Sequence, residues 1–383
     1  MINRSLGPIL ARSKKSILLL GPRQTGKSTL IQSLKPGLTI NFAHEPTYLQ
    51  FARNPAELEQ RLASTPVTTV FIDEVQRIPS ILNTLQSLLD ERGNRTKFYL
   101  TGSSARKLMR GKANLLPGRV HTYHLPPLTA KEIGPAMDLA QALSTGTLPG
   151  IWTERNQQEK ILTLRSYAAT YLKEEIQAEA LTKNVEGFSR FIFVMAAWAG
   201  KFLDLAKLAS EAQIPRQTAV RYFEILEDTL IVRRCESFSK TDWRRLVRSP
   251  RFFFFDTGVL NGLLDNFSVS QDRIGVLFEH FVFNQLIDHA SSTGGSVRIS
   301  SYRTGHGAEV DFIVEHGGRV TALEVKASRS IGRSDLRGFK SFAEHYNKKH
   351  GRIVAYMGDT ERTIGDVQVV PWQRVFEKIG PAK

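Results

Sequence analysis

Short apolar-rich runs recur through the first part of the chain, at Ile17–Leu20, Leu38–Phe42, Val67–Ile72 and Lys97–Leu100, separated by helix-like segments such as Pro55–Ala63. Runs this short, with no polar residue at every second position, read as strands covered on both faces. Strands alternating with helices over residues 1–145 predict a parallel α/β sheet. Beyond residue 145 the period becomes helical. Gln157–Ala180 carries Leu162, Tyr167, Ala168, Tyr171, Leu172 and Ile176 at helical spacing and reads as a helix facing a core. Leu205–Ala212, the turn Gln213-Ile214-Pro215 and Arg216–Thr229 predict a helix-turn-helix, with a strand from Ile231 as its wing. The remainder returns to strands: Arg251–Phe255, Ile299–Arg303, Ala308–Val314, Thr321–Ala327, Arg352–Tyr356 and Asp366–Val370, with an apolar helix around Gly275–Phe283. The expected division is 1–145, 146–238 and 239–383.

The first strand runs into Gly21-Pro22-Arg23-Gln24-Thr25-Gly26-Lys27-Ser28-Thr29, a phosphate-binding loop. Its glycines let backbone N–H groups turn toward a phosphate chain. Lys27 brings a point charge to the β/γ-phosphates, and the Ser28 hydroxyl is a Mg²⁺ ligand. The helix expected from Lys27 points its positive end at the same anion. The strand at Val67–Ile72 ends in Asp73-Glu74. A parallel sheet gathers ligands at the carboxyl ends of its strands, so Asp73 is expected to hold Mg²⁺ beside the loop and Glu74 to polarise the attacking water. Lys97–Leu100 leads into Thr101-Gly102-Ser103-Ser104, where Ser103 or Ser104 is expected to reach the water or the γ-phosphate. Arg119, on the turn after Gly118, is a candidate arginine finger toward a neighbouring subunit, with Arg106 and Arg110 as rivals.

The charge balance narrows the partners. Lys plus Arg number 52 against 37 acidic residues, a formal charge of +15, which favours a polyanion, nucleic acid first. Arg216, Gln217, Thr218 and Arg221 open the second helix of the helix-turn-helix, where bases or phosphates are touched. Arg244, Arg245, Arg248 and Arg251 form a second basic stretch suited to tracking phosphates. The single cysteine, Cys235, permits no intrachain disulfide and accords with a reducing cytoplasm. The best apolar run, Phe191–Gly200, is about half of the ~20 residues that span a bilayer, so no membrane segment is expected.

In the last third, Glu279 on a helix, Asp311 on one strand and Glu324 and Lys326 on the next form a pattern able to share hard cations, with Lys326 activating a water. The phosphate loop, Phe71-Ile-Asp-Glu74, Leu100–Ser104, Gly118-Arg119 and Leu125-Pro-Pro-Leu128 followed by Glu132 together resemble one group of prokaryotic AAA+ ATPases. That group carries a C-terminal domain of long-unassigned function, similar in fold to PD-(D/E)xK nucleases. With the helical and winged-helix middle domain read from residues 146–238, the resemblance gives an expected α/β chain of a P-loop AAA+ parallel-sheet domain, that middle domain, and a restriction-endonuclease-like C-terminal domain. It also implies ATP hydrolysis with Mg²⁺ and assembly into a homo-oligomeric ring. The expected function is an ATP-driven DNA motor or remodeller, with branched DNA such as a four-way Holliday junction as one substrate. An ATP-gated metal-dependent nuclease and a regulatory ATPase switch that grips a protein are the alternatives.

Overall fold

The computed structural model describes residues 2–91, 96–103, 116, 118–171, 184–238 and 249–380. Ser104, Arg106, Arg110, Arg244, Arg245 and Arg248 lie outside the described residues.

The strands β1 (Ser16–Leu20), β2 (Leu38–Asn41), β3 (Thr69–Asp73), β4 (Lys97–Gly102) and β5 (Val120–His124) form one sheet in the order β2-β3-β4-β1-β5. Every neighbouring pair in it is parallel. Pleating sends alternate side chains of one strand to opposite faces. Leu18, Leu20, Ile72 and Leu100 enter one core with Leu82 and Leu85. Ile17, Leu19, Phe71 and Tyr99 enter another with Leu30 and Ile31. Two covered faces explain why these strands read as unbroken apolar runs. β5 was not legible as a strand because Val-His-Thr-Tyr-His is an edge strand with partly exposed side chains.

The helix-turn-helix expected from the sequence is present as helices Leu205–Glu211 and Arg216–Asp228. The helix expected over Gln157–Ala180 differs. Its α-helical part runs to Ser166 and widens into a π turn over Tyr167–Tyr171. Leu162, placed in the core by its spacing, is 52% exposed, and Leu172 and Ile176 lie outside the described residues.

A second sheet follows, in the order β12-β13-β11-β10-β9-β8-β6-β7. Its strands are β6 (Val232–Ser237), β7 (Arg251–Phe254), β8 (Arg298–Arg303), β9 (Glu309–His316), β10 (Arg319–Lys326), β11 (Gly351–Tyr356), β12 (Arg362–Ile364) and β13 (Val367–Pro371). Helix Ile274–Ser292 precedes β8, and helix Arg337–Tyr346 lies between β10 and β11. β8, β9 and β10 are antiparallel neighbours, while β10 and β11 are parallel.

β6, expected as the wing, is instead built into this sheet, antiparallel to β7 and parallel to β8. A boundary between 238 and 239 therefore separates two paired strands. Phe191, Met195, Tyr222 and Phe223 of the helical region share one core with Phe252–Phe255, Phe278, Phe283 and Phe312. Rings stack across it, Phe253 on Phe283 at 4.1 Å. Among the described residues no helix is long and apolar enough to cross a membrane.

Candidate nucleotide site and carboxylate pocket

The carboxyl edge of the first sheet gathers the expected phosphate chemistry. Gly21 ends β1, where a Cβ would lie 2.4 Å from the Leu125 carbonyl oxygen, so only glycine permits this approach. Gly26, at φ 88°, turns the chain into helix Lys27–Ser33. Inside the loop, Thr25 Oγ1 donates to the Pro22 carbonyl at 2.9 Å. Lys27 is buried and donates from Nζ to the carbonyls of Gly21 at 2.8 Å and Pro22 at 2.9 Å. Arg23 and Ser28 are half-buried, and Gln24 and Thr29 are exposed.

β4 stands between β1 and β3, so it carries the contact between the loop and the acidic strand end. Thr101 donates its hydroxyl hydrogen to Asp73 Oδ1 and accepts the Glu74 N–H at 3.3 Å. Glu74 itself adopts a left-handed backbone, φ 58° and ψ 47°. Gln76 follows in a 3₁₀ turn and is buried. Its Nε2 donates both to Glu74 Oε2 and to Ser103 Oγ, the latter at 2.9 Å, while its Oε1 is buried without a hydrogen-bond partner. The structure thus brings together Lys27, Asp73, Glu74 and Ser103 at one edge and adds Thr101 and Gln76. Thr101 lay inside the motif already quoted; for Gln76 the only sequence signal is its place two residues after Glu74.

Arg119 is placed elsewhere. Val120, the next residue, pairs with Ser16 at the start of β1. A strand rises about 3.3 Å per residue, so Arg119 stands at the far edge, away from its own chain's phosphate loop. There it forms a paired contact with Asp90, Nε to Oδ1 at 2.6 Å and Nη2 to Oδ2 at 2.7 Å.

Arg4 braces the loop from the other side. It donates to the Thr25 carbonyl at 2.7 Å and the Pro126 carbonyl at 2.6 Å, and its Nε meets Glu132 Oε1 at 3.2 Å. Glu132 also closes the capping box of helix Ala130–Ile133 with Thr129. A cavity of about 280 Å³ opens beside the loop, lined by Ile2, Arg4, Gly26, Thr29, Leu128 and Pro149. A hydroxyl at Ser28 and a carboxylate at Asp73 are hard oxygen donors, a set that suits Mg²⁺.

The second sheet presents the carboxylate pattern differently from the sequence expectation. Glu279 lies on helix Ile274–Ser292, and Asp311 and Glu324 lie on the antiparallel neighbours β9 and β10. Arg251, expected on a phosphate-facing loop, is the first residue of β7 and only 5% exposed. It is turned inward because Glu279 holds it. One nitrogen donates to Glu279 Oε2 at 2.7 Å, and another lies 2.6 Å from Oε1, a charge contact without hydrogen-bond alignment. Lys326 donates to Glu324 Oε2 at 3.0 Å. Burial pushes the Glu279 carboxyl up to about 7, against the pull of Arg251, and burial and then Asp311 raise Glu324. Among the described residues no three His, Cys, Asp or Glu side chains come together where they could hold a metal ion. Glu279 and Glu324 are thus each paired with a basic side chain, Arg251 and Lys326. On the helix-turn-helix, Arg216, Gln217 and Arg221 are exposed and Thr218 is half-buried.

Residues 13–134, which carry the phosphate loop, match the model of the AAA domain. Residues 136–270 match one domain of unknown function, DUF8612, and residues 274–375 another, DUF4143. The chain is 29% identical over 330 residues to the uncharacterised proteins Rv2008c of Mycobacterium tuberculosis and Mb2031c of Mycobacterium bovis, covering 83% of this chain and 72% of each of them. Among solved structures, the STAND-type signal transduction ATPase PH0952 of Pyrococcus horikoshii aligns at TM-score 0.28 and 15% identity, over 76% of this chain and 45% of its own. This chain thus spans less than half the length of that protein. AMPPCP-bound DnaA of Aquifex aeolicus aligns at TM-score 0.25 and 12% identity, over 58% of this chain and 84% of its own.

Proposed function

We propose that the protein is an ATP-hydrolysing motor or remodeller that acts on DNA, with branched DNA such as a four-way junction as a substrate, and that it works as a homo-oligomeric ring. The observation that carries the ATPase part is the convergence of Lys27, Asp73, Glu74 and Ser103 at one sheet edge. Ser28 and Asp73 would hold Mg²⁺, which would supply charge neutralisation on the phosphates. Lys27 exchanges its loop carbonyls for phosphate oxygens, and the N–H groups of residues 22–28 cradle the chain of phosphates. Glu74 accepts a proton from the attacking water, and Ser103 orients that water or the γ-phosphate. The cavity beside Gly26 and Pro149 receives the base. Arg119 serves a neighbouring subunit's nucleotide, which requires it to exchange Asp90 for phosphate.

The DNA part is supported by the formal charge of +15 and by exposed Arg216, Gln217 and Arg221 at the start of one helix. A soluble cytoplasmic setting goes with this reading. A regulatory switch that grips a protein partner is the second reading, favoured by the shared core that ties the helical region to the second sheet.

ATPase rates measured with single-stranded, duplex and four-way-junction DNA separate the two. Stimulation by the junction supports a remodeller, and rates indifferent to all three support the switch. Lys27→Ala is expected to lower ATP turnover by ~10²-fold or more, as losing a transition-state charge contact does, and to abolish strand movement while DNA binding survives.

A further inference from the structure

The carboxylate pocket of the second sheet has the acidic residues expected of a metal-dependent nuclease, and each of Glu279, Asp311 and Glu324 makes a contact within the protein. A divalent cation needs several oxygens aimed at one centre, at ~2.0–2.6 Å, and Mg²⁺ usually keeps waters as well. Both oxygens of Glu279 face the Arg251 guanidinium, at 2.7 and 2.6 Å. Asp311 Oδ2 accepts the Val325 N–H at 2.8 Å. Glu324 Oε2 accepts the Lys326 ammonium.

Arg251 is held at two of its nitrogens by hydrogen bonds: Nε donates to the Gly200 carbonyl at 2.6 Å and Nη2 to Glu279, while Nη1 makes only the charge contact with Glu279. Its Cζ lies 5.1 Å from the Phe253 ring centre and 5.7 Å from that of Phe312. The pocket is also closed from the side of helix Arg337–Tyr346. A Cβ on Gly338 would lie 2.0 Å from the Glu309 carbonyl oxygen and 2.8 Å from Glu324 Oε1, so the backbone of that helix packs directly against β9 and the Glu324 carboxylate.

We infer that Arg251 is the resident cation of this pocket, standing where a nuclease of this pattern would bind a divalent metal, so that the C-terminal unit keeps the acidic framework without a metal site. The planar guanidinium suits the role, because its fork matches a carboxylate at both oxygens and it stays charged when buried. This inference is independent of the ATPase reading.

The test is Mn²⁺ binding followed by electron paramagnetic resonance on the full chain without nucleotide, in an Asp73→Asn background that removes the phosphate-site carboxylate. The parent protein is expected to leave the free Mn²⁺ signal unchanged. Adding Arg251→Ser is expected to give uptake of one Mn²⁺ per chain, lost again with Asp311→Asn. Uptake of one Mn²⁺ by the parent that Asp311→Asn abolishes overturns the inference, and so does a folded Arg251→Ser protein that takes up none. Thermal melting guards against a variant that does not fold. Glu279→Gln, which keeps Arg251, is expected to lower Tm with no recovery on adding Mn²⁺. A Mn²⁺-dependent rise in parent Tm, absent in Asp311→Asn, counts against the inference on its own.

Discussion

Gln76 decides how Glu74 is held. Its amide nitrogen is the bridge between the carboxylate and Ser103, and it is buried where water does not replace it. Gln76→Ala is expected to lower kcat ~10-fold, equivalent to about 1.4 kcal/mol of transition-state stabilisation, with nucleotide affinity little changed. Steady-state rates and a nucleotide titration check both halves, and a loss confined to affinity would contradict the role. The placement of Lys27, Asp73 and Glu74 at one sheet edge was legible from the chain because it follows from neighbours in sequence: a strand, a loop and a helix start. Gln76 was not legible, because its importance comes from the left-handed turn at Glu74 and from β4 lying alongside.

β7 joins the two candidate sites at the level of elements. It begins with Arg251 in the carboxylate pocket and leads to Asp256, which caps helix Thr257–Leu264 and accepts the Thr147 N–H at 2.8 Å. Thr147 lies two residues before Pro149, which lines the cavity by the phosphate loop. The approach is close: a Cβ on Gly258 would lie 2.2 Å from the Thr145 carbonyl oxygen. Gly258→Ala is therefore expected to cost ~1–3 kcal/mol by overpacking and to weaken nucleotide binding, both visible when melts are run with and without nucleotide.

The same region sets a pH response. Burial holds His280 well below the ordinary 6.5, at about 4, although its hydrogen bond to the Phe254 carbonyl works the other way; Arg233 and Arg251 add to the lowering. A depressed folded value means that its stabilising contribution is present above pH 6.5 and is lost as pH falls toward 4. Asp256 and Asp288, raised by burial to about 6, contribute with the opposite sign, losing stability as pH rises from 3.8 to 6. Comparing wild type with His280→Gln cancels those two, so the wild-type advantage in Tm is expected to shrink between pH 6.5 and 4. A constant gap across that range would sink the assignment.

On the scale of the whole molecule, the charge and the shared core matter most. Exposed Arg216 and Arg221 start a helix whose other face, with Ala219, Tyr222 and Phe223, is buried in the common core. If these arginines meet phosphates, Arg216→Ala and Arg221→Ala are each expected to weaken DNA binding across sequences and to reduce the salt slope by about 1. Fluorescence titrations at several salt concentrations read the slope directly.

The chain by itself determined the phosphate loop, the acid-ended strand, the helix-turn-helix and the strand-rich final third. Each rests on short-range spacing, where side-chain period and backbone preference act locally. Tertiary structure decided that β6 joins the last sheet, that β5 completes the first, and that Arg251 turns inward rather than toward solvent. Arg251 and Glu279 are 28 residues apart. A basic residue near others looks exposed in a string of letters; only the meeting of β7 with the Ile274–Ser292 helix puts a carboxylate in front of it and pairs the guanidinium where it is buried.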